Sequence, residues 1–165
     1  MTMNDIQEIL QRHLENLKST IAFRIDEYKR TVTGRTAASL TISVSGNRGI
    51  LYGSGSFLAI ERGRGAGKVP YNFVRIIKEW IVNKGITFKP IPAKRKNVKY
   101  TPMERGLNSF AGAVAYKIMK EGSRMHRDNI YNDIYTSAVN DELESLSEEL
   151  VITSARSIAE INKEL

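Results

Sequence analysis

The sequence predicts an α+β fold with a long N-terminal helix, a small antiparallel sheet of about three strands packed by two or three further helices, and a long C-terminal helix. Apolar residues follow helical spacing over the first thirty residues and again from about residue 138. Between them, a short stretch alternates polar and apolar residues as half-buried strands do. The length of 165 residues favours one domain. We expect a core at about 5–136, a basic loop at 87–101 and an acidic helical extension at 138–165.

The N-terminal helix is predicted by a stripe of apolar residues that spans roughly six turns. Asn4 is the predicted N-cap, and the acidic residues just after it suit a first helical turn. His13 lies beside the stripe, so we expect it to be packed or half-exposed rather than a metal ligand. The stripe consists of Ile6, Ile9, Leu10, Leu14, Leu17, Ile21, Ile25 and Tyr28.

The sheet is predicted from residues 41–60. Thr41 to Ser45 alternates polar and apolar side chains, 46–49 has the composition of a hairpin turn, and Ile50 to Tyr52 forms the return strand. A short apolar run, Phe57 to Ile60, makes a third strand or a short helix. We adopt the three-stranded sheet as the most economical interpretation.

Two further helices follow in the middle of the chain. The first begins at or near Pro70 and ends at Gly85, a residue suited to a left-handed closing position. The second begins at the capping box Thr101 to Glu104 and closes at Gly122. Gly112 and the neighbouring alanines in this helix are expected to permit close approach to another element.

The net charge of +7 is divided unevenly along the chain. Residues 1–60 carry +2, residues 61–127 carry +12 and residues 128–165 carry −7. A basic middle suggests nucleic acid or another polyanion, although a charge run is also ordinary for a solvated face. A third interpretation is that copies stack with opposite charges facing each other, which would fix their register.

Several functional classes are disfavoured by composition. No run of about 18 apolar residues exists, and the first residues lack the pattern of a signal peptide, so we expect no membrane association. The chain has no cysteine and two distant histidines, His13 and His126. A disulfide framework and a zinc enzyme are therefore not expected, and we expect no cofactor.

The glycine-rich basic loop at residues 62–68 invites comparison with a nucleotide-binding P-loop. The first glycine of that motif is replaced by Arg62, and Val69 stands where a magnesium-binding hydroxyl is needed. Nucleotide hydrolysis is therefore disfavoured. Two interpretations stay open: backbone amides that form an anion-binding nest, and a flexible glycine turn.

Catalysis by side chains has little support. No Gly-x-Ser-x-Gly motif occurs, and neither histidine has an obvious orienting acid nearby in sequence. The acidic residues at 141–149 have the pattern of a solvated helix face. A nuclease would need inward acids near the basic loop, for which only Glu61, Glu79 and Glu104 qualify. We expect no enzyme.

Several short motifs resemble those of bacteriophage tail-completion or head–tail joining proteins, the minor tail or neck ring family. Thr33 to Leu40 matches a Thr-Gly-Arg-x-x-x-Ser-Leu element that precedes a strand, and Phe57 to Gly63 resembles an aromatic-small-apolar-x-Glu-x-Gly segment before a basic loop. Lys78 to Ile86 and Ala115 to Gly122 are similar to segments of relatives in phages and prophages of Bacteroidetes bacteria. The resemblance covers roughly residues 5–136. The Lys89 to Lys99 insertion and the acidic C-terminal segment depart from it.

The resemblance implies a non-enzymatic virion protein that forms a closed ring, a hexamer or dodecamer, at the neck or tail. Its partners would be other copies of itself and portal, neck or tail proteins, and it would be assembled in the host cytoplasm. The residues that would shape the subunit or its ring contacts are Thr33, Gly34, Arg35, Glu61 and Gly63.

The basic loops would line the DNA channel, with non-specific phosphate contacts, or meet the next ring. The candidate contact residues are Arg62, Arg64, Lys68, Lys89, Lys94, Arg95, Lys96 and Lys99. The alternative function is a nucleic-acid-binding module that uses the basic segment 87–105, because residues 87–101 contain no acid and offer the best phosphate contacts.

Overall fold

The computed structural model describes residues 2–28, 34–67, 69–95 and 99–164, and it confirms the predicted α+β fold with long helices at both ends. The described residues form two compact units, Met1–Glu61 with Asn132–Leu165 and Arg62–Tyr131. We call them the terminal unit and the central unit and describe each by itself. The expectation of a single domain stays a prediction. The elements are α1 (Met3–Glu27), α2 (Arg35–Ala38), β1 (Thr41–Ser45), β2 (Arg48–Tyr52), α3 (Ser56–Arg62), α4 (Phe73–Asn83), α5 (Pro102–Glu121), α6 (Arg124–Arg127) and α7 (Thr136–Glu164).

The N-cap of helix α1 lies two residues before the predicted one. Thr2 is the N-cap, since its hydroxyl accepts from the Asp5 amide at 3.2 Å while the Thr2 amide donates to Asp5 Oδ2 at 2.6 Å. The prediction of Asn4 is wrong because this reciprocal pair satisfies the helix start two residues earlier. The predicted stripe is otherwise confirmed at its centre, where Ile9, Leu17, Ile21 and Ile25 are buried.

Within the described residues, the sheet has two strands rather than about three. β1 and β2 pair antiparallel from Thr41↔Tyr52 to Ser45↔Arg48, which leaves a two-residue turn between them. The third predicted strand forms α3 instead, the helical alternative for this run. A short apolar run carries no period that separates a strand from a buried helix, so the sequence pattern alone could not decide between them.

The core of the terminal unit forms between α1, α3 and the start of α7. Helices α1 and α7 run antiparallel, since Arg24 lies against Ser137 while His13 lies against Glu142 and Glu149. The first turn of α7 contributes Ala138 to the buried cluster. The buried cluster consists of Leu17, Ile21, Ile25, Leu40, Ile134 and Ala138.

The central unit is built on α4 and α5. Helix α4 begins at Phe73, three residues after Pro70, and closes at the predicted Gly85, which has φ +62°. The closure is a Schellman motif, in which the Ile86 amide donates to the Ile81 carbonyl at 3.0 Å. The predicted capping box of α5 is present as well. The buried cluster consists of Phe73, Ile77, Ile81, Ala111 and Ala115.

The close approach predicted for α5 occurs at a different glycine. A methyl group added at Gly112 would meet nothing within 4 Å, whereas one added at Gly106 would lie 2.3 Å from the Lys89 carbonyl oxygen and 3.2 Å from Pro90 Cα. The prediction for Gly112 is therefore wrong. Gly106 lets the segment at Lys89 and Pro90 lie directly on α5.

Candidate functional site

Glu61 links two distant parts of the terminal unit. Its side chain is 3% exposed at the end of α3. One carboxylate oxygen accepts the Tyr135 amide at 3.1 Å, and the other accepts the Thr136 hydroxyl. The Glu61 carbonyl also accepts the Asn132 amide at 2.9 Å. A carboxylate at the first turn of α7 is favourable because the amide groups of a helix N-terminus carry partial positive charge. Glu61 therefore fixes where α7 starts.

The described part of the glycine-rich loop, residues 62–67, is a packed turn. The Arg64 amide donates to Ser123 Oγ at 2.8 Å, the Ser123 amide donates to the Arg64 carbonyl at 2.8 Å, and the Gly67 amide donates to the Met119 carbonyl at 2.7 Å. Two amides of the proposed anion nest are therefore already used inside the central unit. Gly63 has φ +75°, and a methyl group there would lie 2.5 Å from Ser123 Oγ and 2.7 Å from the His126 amide nitrogen. Only glycine fits this position without displacing its neighbours.

Two arginines of this region lie over aromatic rings. The Arg62 guanidinium carbon is 6.0 Å from the centroid of the Tyr131 ring, and that of Arg64 is 5.7 Å from the Phe73 ring. Arg62 is exposed and Arg64 is half-buried. The ring contact restricts where each charge lies.

The basic loop is attached to α5 at both ends. The Ile91 amide donates to the Pro102 carbonyl at 2.9 Å, and Arg105 Nε donates to the Ile91 carbonyl at 2.9 Å. A second nitrogen of Arg105 donates to the Tyr100 carbonyl. Arg105 therefore holds the loop closed. The described candidate cations of the loop are all exposed, namely Lys89, Lys94, Arg95 and Lys99.

The predicted site residues fall into two groups. Gly34, Arg35 and Glu61 belong to the terminal unit, whereas Gly63 and every described candidate cation belong to the central unit. Gly34 precedes α2 with φ +70°, and Arg35 is exposed in that helix. The predictions for Thr33, Lys68 and Lys96 lie outside the described residues.

Sequence reasoning missed an ionic cluster between α1 and α7. His13 is 4% exposed, with Nδ1 2.6 Å from Glu142 Oε1 and Nε2 2.9 Å from Glu149 Oε2. Arg12 forms an ion pair with the same Glu149 carboxylate. Hydrogen bonds from Arg12 first, and then from His13, hold the pKa of Glu149 below its ordinary value. The expectation that His13 is packed is confirmed, but it does have acidic partners.

One signal in the sequence pointed to this cluster. Glu142 and Glu149 are seven residues apart, so they share one face of a helix two turns apart. A buried histidine on a facing helix can pair with both carboxylates. Because both ring nitrogens contact carboxylate oxygens, the imidazole joins α1 to α7.

The acids considered for a nuclease also have partners. Glu61 is buried as described, Glu79 lies 3.9 Å from Arg75 Nε, and Glu104 accepts the Thr101 amide at 2.7 Å. The Thr101 bonds lower the pKa of Glu104, which is the behaviour of a helix cap. Within the described ranges, no three His, Asp or Glu side chains are grouped so as to hold a metal ion. None of the helices in the described part of the chain is long and apolar enough to cross a membrane.

The charge of the chain follows the division into units. The central unit contains sixteen Lys and Arg residues against four acids, a net charge of +12, and the terminal unit has a net charge of −5. Exposed apolar side chains occur in both, including Trp80 on α4 and Val151 on α7. The two units thus carry net charges of opposite sign, and each exposes apolar side chains.

Comparison with known proteins found no similarity: no family model matches the chain, and no curated protein and no solved structure matches it.

Proposed function

We propose that the chain is a structural virion protein, a ring-forming head–tail connector or tail-completion component that joins portal and tail around the DNA channel. The main supporting observation is the opposite net charge of the two units, +12 and −5, together with exposed apolar side chains on each. Surfaces of opposite charge on one polypeptide favour association of identical copies and fix their register. The short motifs at residues 33–40 and 57–63 support the same class of protein.

The proposal includes an assembly route and a location. Copies form a homo-oligomeric ring, a hexamer or dodecamer, in the host cytoplasm, and the ring becomes part of the neck or tail by contact with portal, neck or tail proteins. The protein performs this role without catalysis, cofactor or membrane. The exposed cations of the basic loop then face either DNA in the channel or the adjoining ring.

Light scattering of the purified chain tests this function. The expected result is an oligomer of ring size, either with the chain alone or after addition of the neighbouring neck proteins. The oligomer should persist in salt because apolar contacts contribute to it, and its association rate should fall because charge steering is screened. A chain that stays monomeric under both conditions contradicts the proposal.

A nucleic-acid-binding module is the second candidate, favoured by the way Arg105 holds the basic loop closed with Lys94, Arg95 and Lys99 exposed. The expected result is submicromolar DNA binding. Its logarithmic salt slope should be about −3 to −4 if four cations of the loop each neutralise one phosphate.

Charge reversal at Lys94→Glu and Arg95→Glu should abolish that binding. The matched control, Lys117→Glu with Lys120→Glu, makes the same change in net charge at exposed positions of α5. Equal losses in the two variants would mean that overall charge, and not this loop, determines the binding.

A further inference from the structure

We propose that the exposed apolar face of α7 in one copy docks onto the α4 surface of the central unit in a second copy. This inference rests on the proposed function and names the two surfaces that join neighbouring subunits.

The docking face is a shallow apolar groove on α7. All the residues that line it belong to α7, among them Leu143, Leu150, Val151 and Ile158. The side chains of Leu143, Val151 and Ile158 are 57%, 66% and 60% exposed. A run of aliphatic side chains this exposed is unusual on a helix of a monomeric protein and is typical of an interaction surface.

The end of α7 also extends past the helix on which it packs. His13 of α1 lies against Glu142 and Glu149, and Met3, the first residue of α1, lies ten residues before His13. Because the helices are antiparallel with the same rise per residue, Met3 is level with about residue 156 of α7. The last two turns of α7, about 12 Å, therefore extend beyond α1. Ile158 and Ile161 lie in these turns and are 60% and 59% exposed.

The negative charge of α7 favours a positively charged partner for its exposed apolar face. Helix α7 contains seven acidic residues and two basic ones, so two copies of α7 packed together would place acids beside acids. The central unit, with its net charge of +12, has the opposite sign. A second copy of the chain thus supplies a complementary surface, and like-charge repulsion disfavours the symmetric alternative.

Within the central unit, α4 offers the matching apolar surface. Ile76, Trp80 and Lys84 follow at four-residue spacing along one side of α4 and its C-cap. Ile76 and Trp80 are each 39% exposed, while the buried face of α4 consists of Phe73, Ile77 and Ile81. Tryptophan is among the residues that contribute most binding energy at protein interfaces. An apolar pair beside a lysine fits a groove that is flanked by acids.

The contact is heterologous, because the donor face on α7 and the acceptor face on α4 are different surfaces of the same chain. Every copy then has one free donor and one free acceptor until the assembly closes. Such contacts produce closed rings when the rotation between neighbours closes and helical filaments when it does not. This is the geometry that a neck ring requires.

Complementation between two variants tests the inference. The donor variant carries Val151→Asp and Ile158→Asp, and the acceptor variant carries Ile76→Asp. Each change lies at an exposed position, so circular dichroism spectra and unfolding temperatures should match those of the unmodified chain. Alone, each variant should bind its own copies about a hundredfold more weakly. Mixed together, they should form a one-to-one dimer that does not extend further, because only one intact donor and one intact acceptor remain usable.

Two control variants make the same chemical change outside the proposed surfaces. Ile152→Asp lies on α7 but not in the groove, and Val82→Asp lies on another side of α4; both residues are exposed. Both controls should assemble as the unmodified chain does, as measured by mass photometry.

The outcomes separate this inference from the proposed function. If the donor variant still forms rings, the proposed docking surfaces are wrong, but the proposed connector function is not contradicted. An unmodified chain that is monomeric at its highest soluble concentration overturns the docking inference, and the experiment with neck proteins then decides the function. A mixture of donor and acceptor variants that stays monomeric while each control assembles points to an α7–α7 contact or an unrelated surface, and overturns the inference.

Discussion

Replacing Gly106 with alanine should destabilise the central unit, although glycine is a poor residue for the interior of a helix. The added methyl group would lie 2.3 Å from the Lys89 carbonyl oxygen, whereas ordinary contact begins at 3.4 Å. The loop must therefore move by about 1 Å, since the obstacle is backbone and not the end of a flexible side chain. Gly112 provides the matched control in the same helix, because a methyl group there would meet nothing within 4 Å.

The size of the effect follows from the bonds that hold the loop. A shift of about 1 Å breaks the Ile91 amide bond to Pro102 and the Arg105 bond to Ile91, both now 2.9 Å long. Their loss costs about 1 kcal/mol for the neutral bond and about 2 kcal/mol for the charged one. Alanine in a helix gains about 1 kcal/mol over glycine. Gly106→Ala should therefore lower the free energy of unfolding by about 2 kcal/mol, whereas Gly112→Ala should raise it by about 1 kcal/mol.

Urea unfolding followed by tryptophan fluorescence measures this difference. Trp80 is the only tryptophan, and it lies on α4, which packs against α5, so its signal reports on the central unit. The two variants should differ by about 3 kcal/mol, or roughly 6–12 °C in unfolding temperature for a chain of this size. If Gly106→Ala is as stable as Gly112→Ala, the loop does not lie on α5 as described.

Three further predictions concern the packed turn, the start of α7 and the ionic cluster. Gly63→Ala should lower the free energy of unfolding in urea by at least about 3 kcal/mol, because the left-handed backbone and the steric overlap both oppose the methyl group. The control Gly67→Ala has only the backbone penalty of about 1 kcal/mol. Equal losses in the two variants would contradict the packing at Gly63. Glu61→Gln should lower the free energy of unfolding by about 1–2 kcal/mol, because Gln keeps only one of the two acceptor oxygens that bind the Tyr135 amide and the Thr136 hydroxyl, and that oxygen is uncharged; an unchanged urea midpoint would refute this role. Because the pKa of Glu149 is lowered by Arg12, its stabilising contribution is fully present above about pH 5 and is lost as pH falls below about 4. Glu149→Gln should thus be less stable than the unmodified chain at neutral pH, and the difference in stability should shrink as pH falls below about 4; a constant difference across pH would contradict the ion pair.

Local signals in the sequence were sufficient to predict the long helices. The stripe at Ile9, Leu17 and Ile25 repeats with the helical period, and it is buried in α1 as that period predicts. The capping box at Thr101 and Glu104 is also present, because both partners lie within one turn and need no distant element. Features that depend on neighbouring residues could therefore be predicted.

Features that depend on residues distant in sequence could not be predicted. The run Phe57 to Ile60 forms part of α3 rather than a strand, since the choice depends on packing against α1 and α7 and not on the run itself. The pairing of His13 with Glu149 joins residues 136 positions apart. The spacing of Glu142 and Glu149 places these two acids on one helix face, but no local pattern places either of them beside His13.

The glycine-rich loop at residues 62–67 shows that a sequence motif must be judged together with the residues that pack against it. Glycine and arginine at residues 62–67 suit an anion nest in sequence, yet the Arg64 and Gly67 amides donate to Ser123 and Met119. An amide that already donates inside the fold is not available to a phosphate. The positive charge of this region therefore acts through side chains on its surface and through the exposed basic loop. Since such contacts are long-ranged and not tied to one ligand geometry, they suit the docking of a large acidic surface, such as a neighbouring α7 or DNA, better than the capture of a nucleotide.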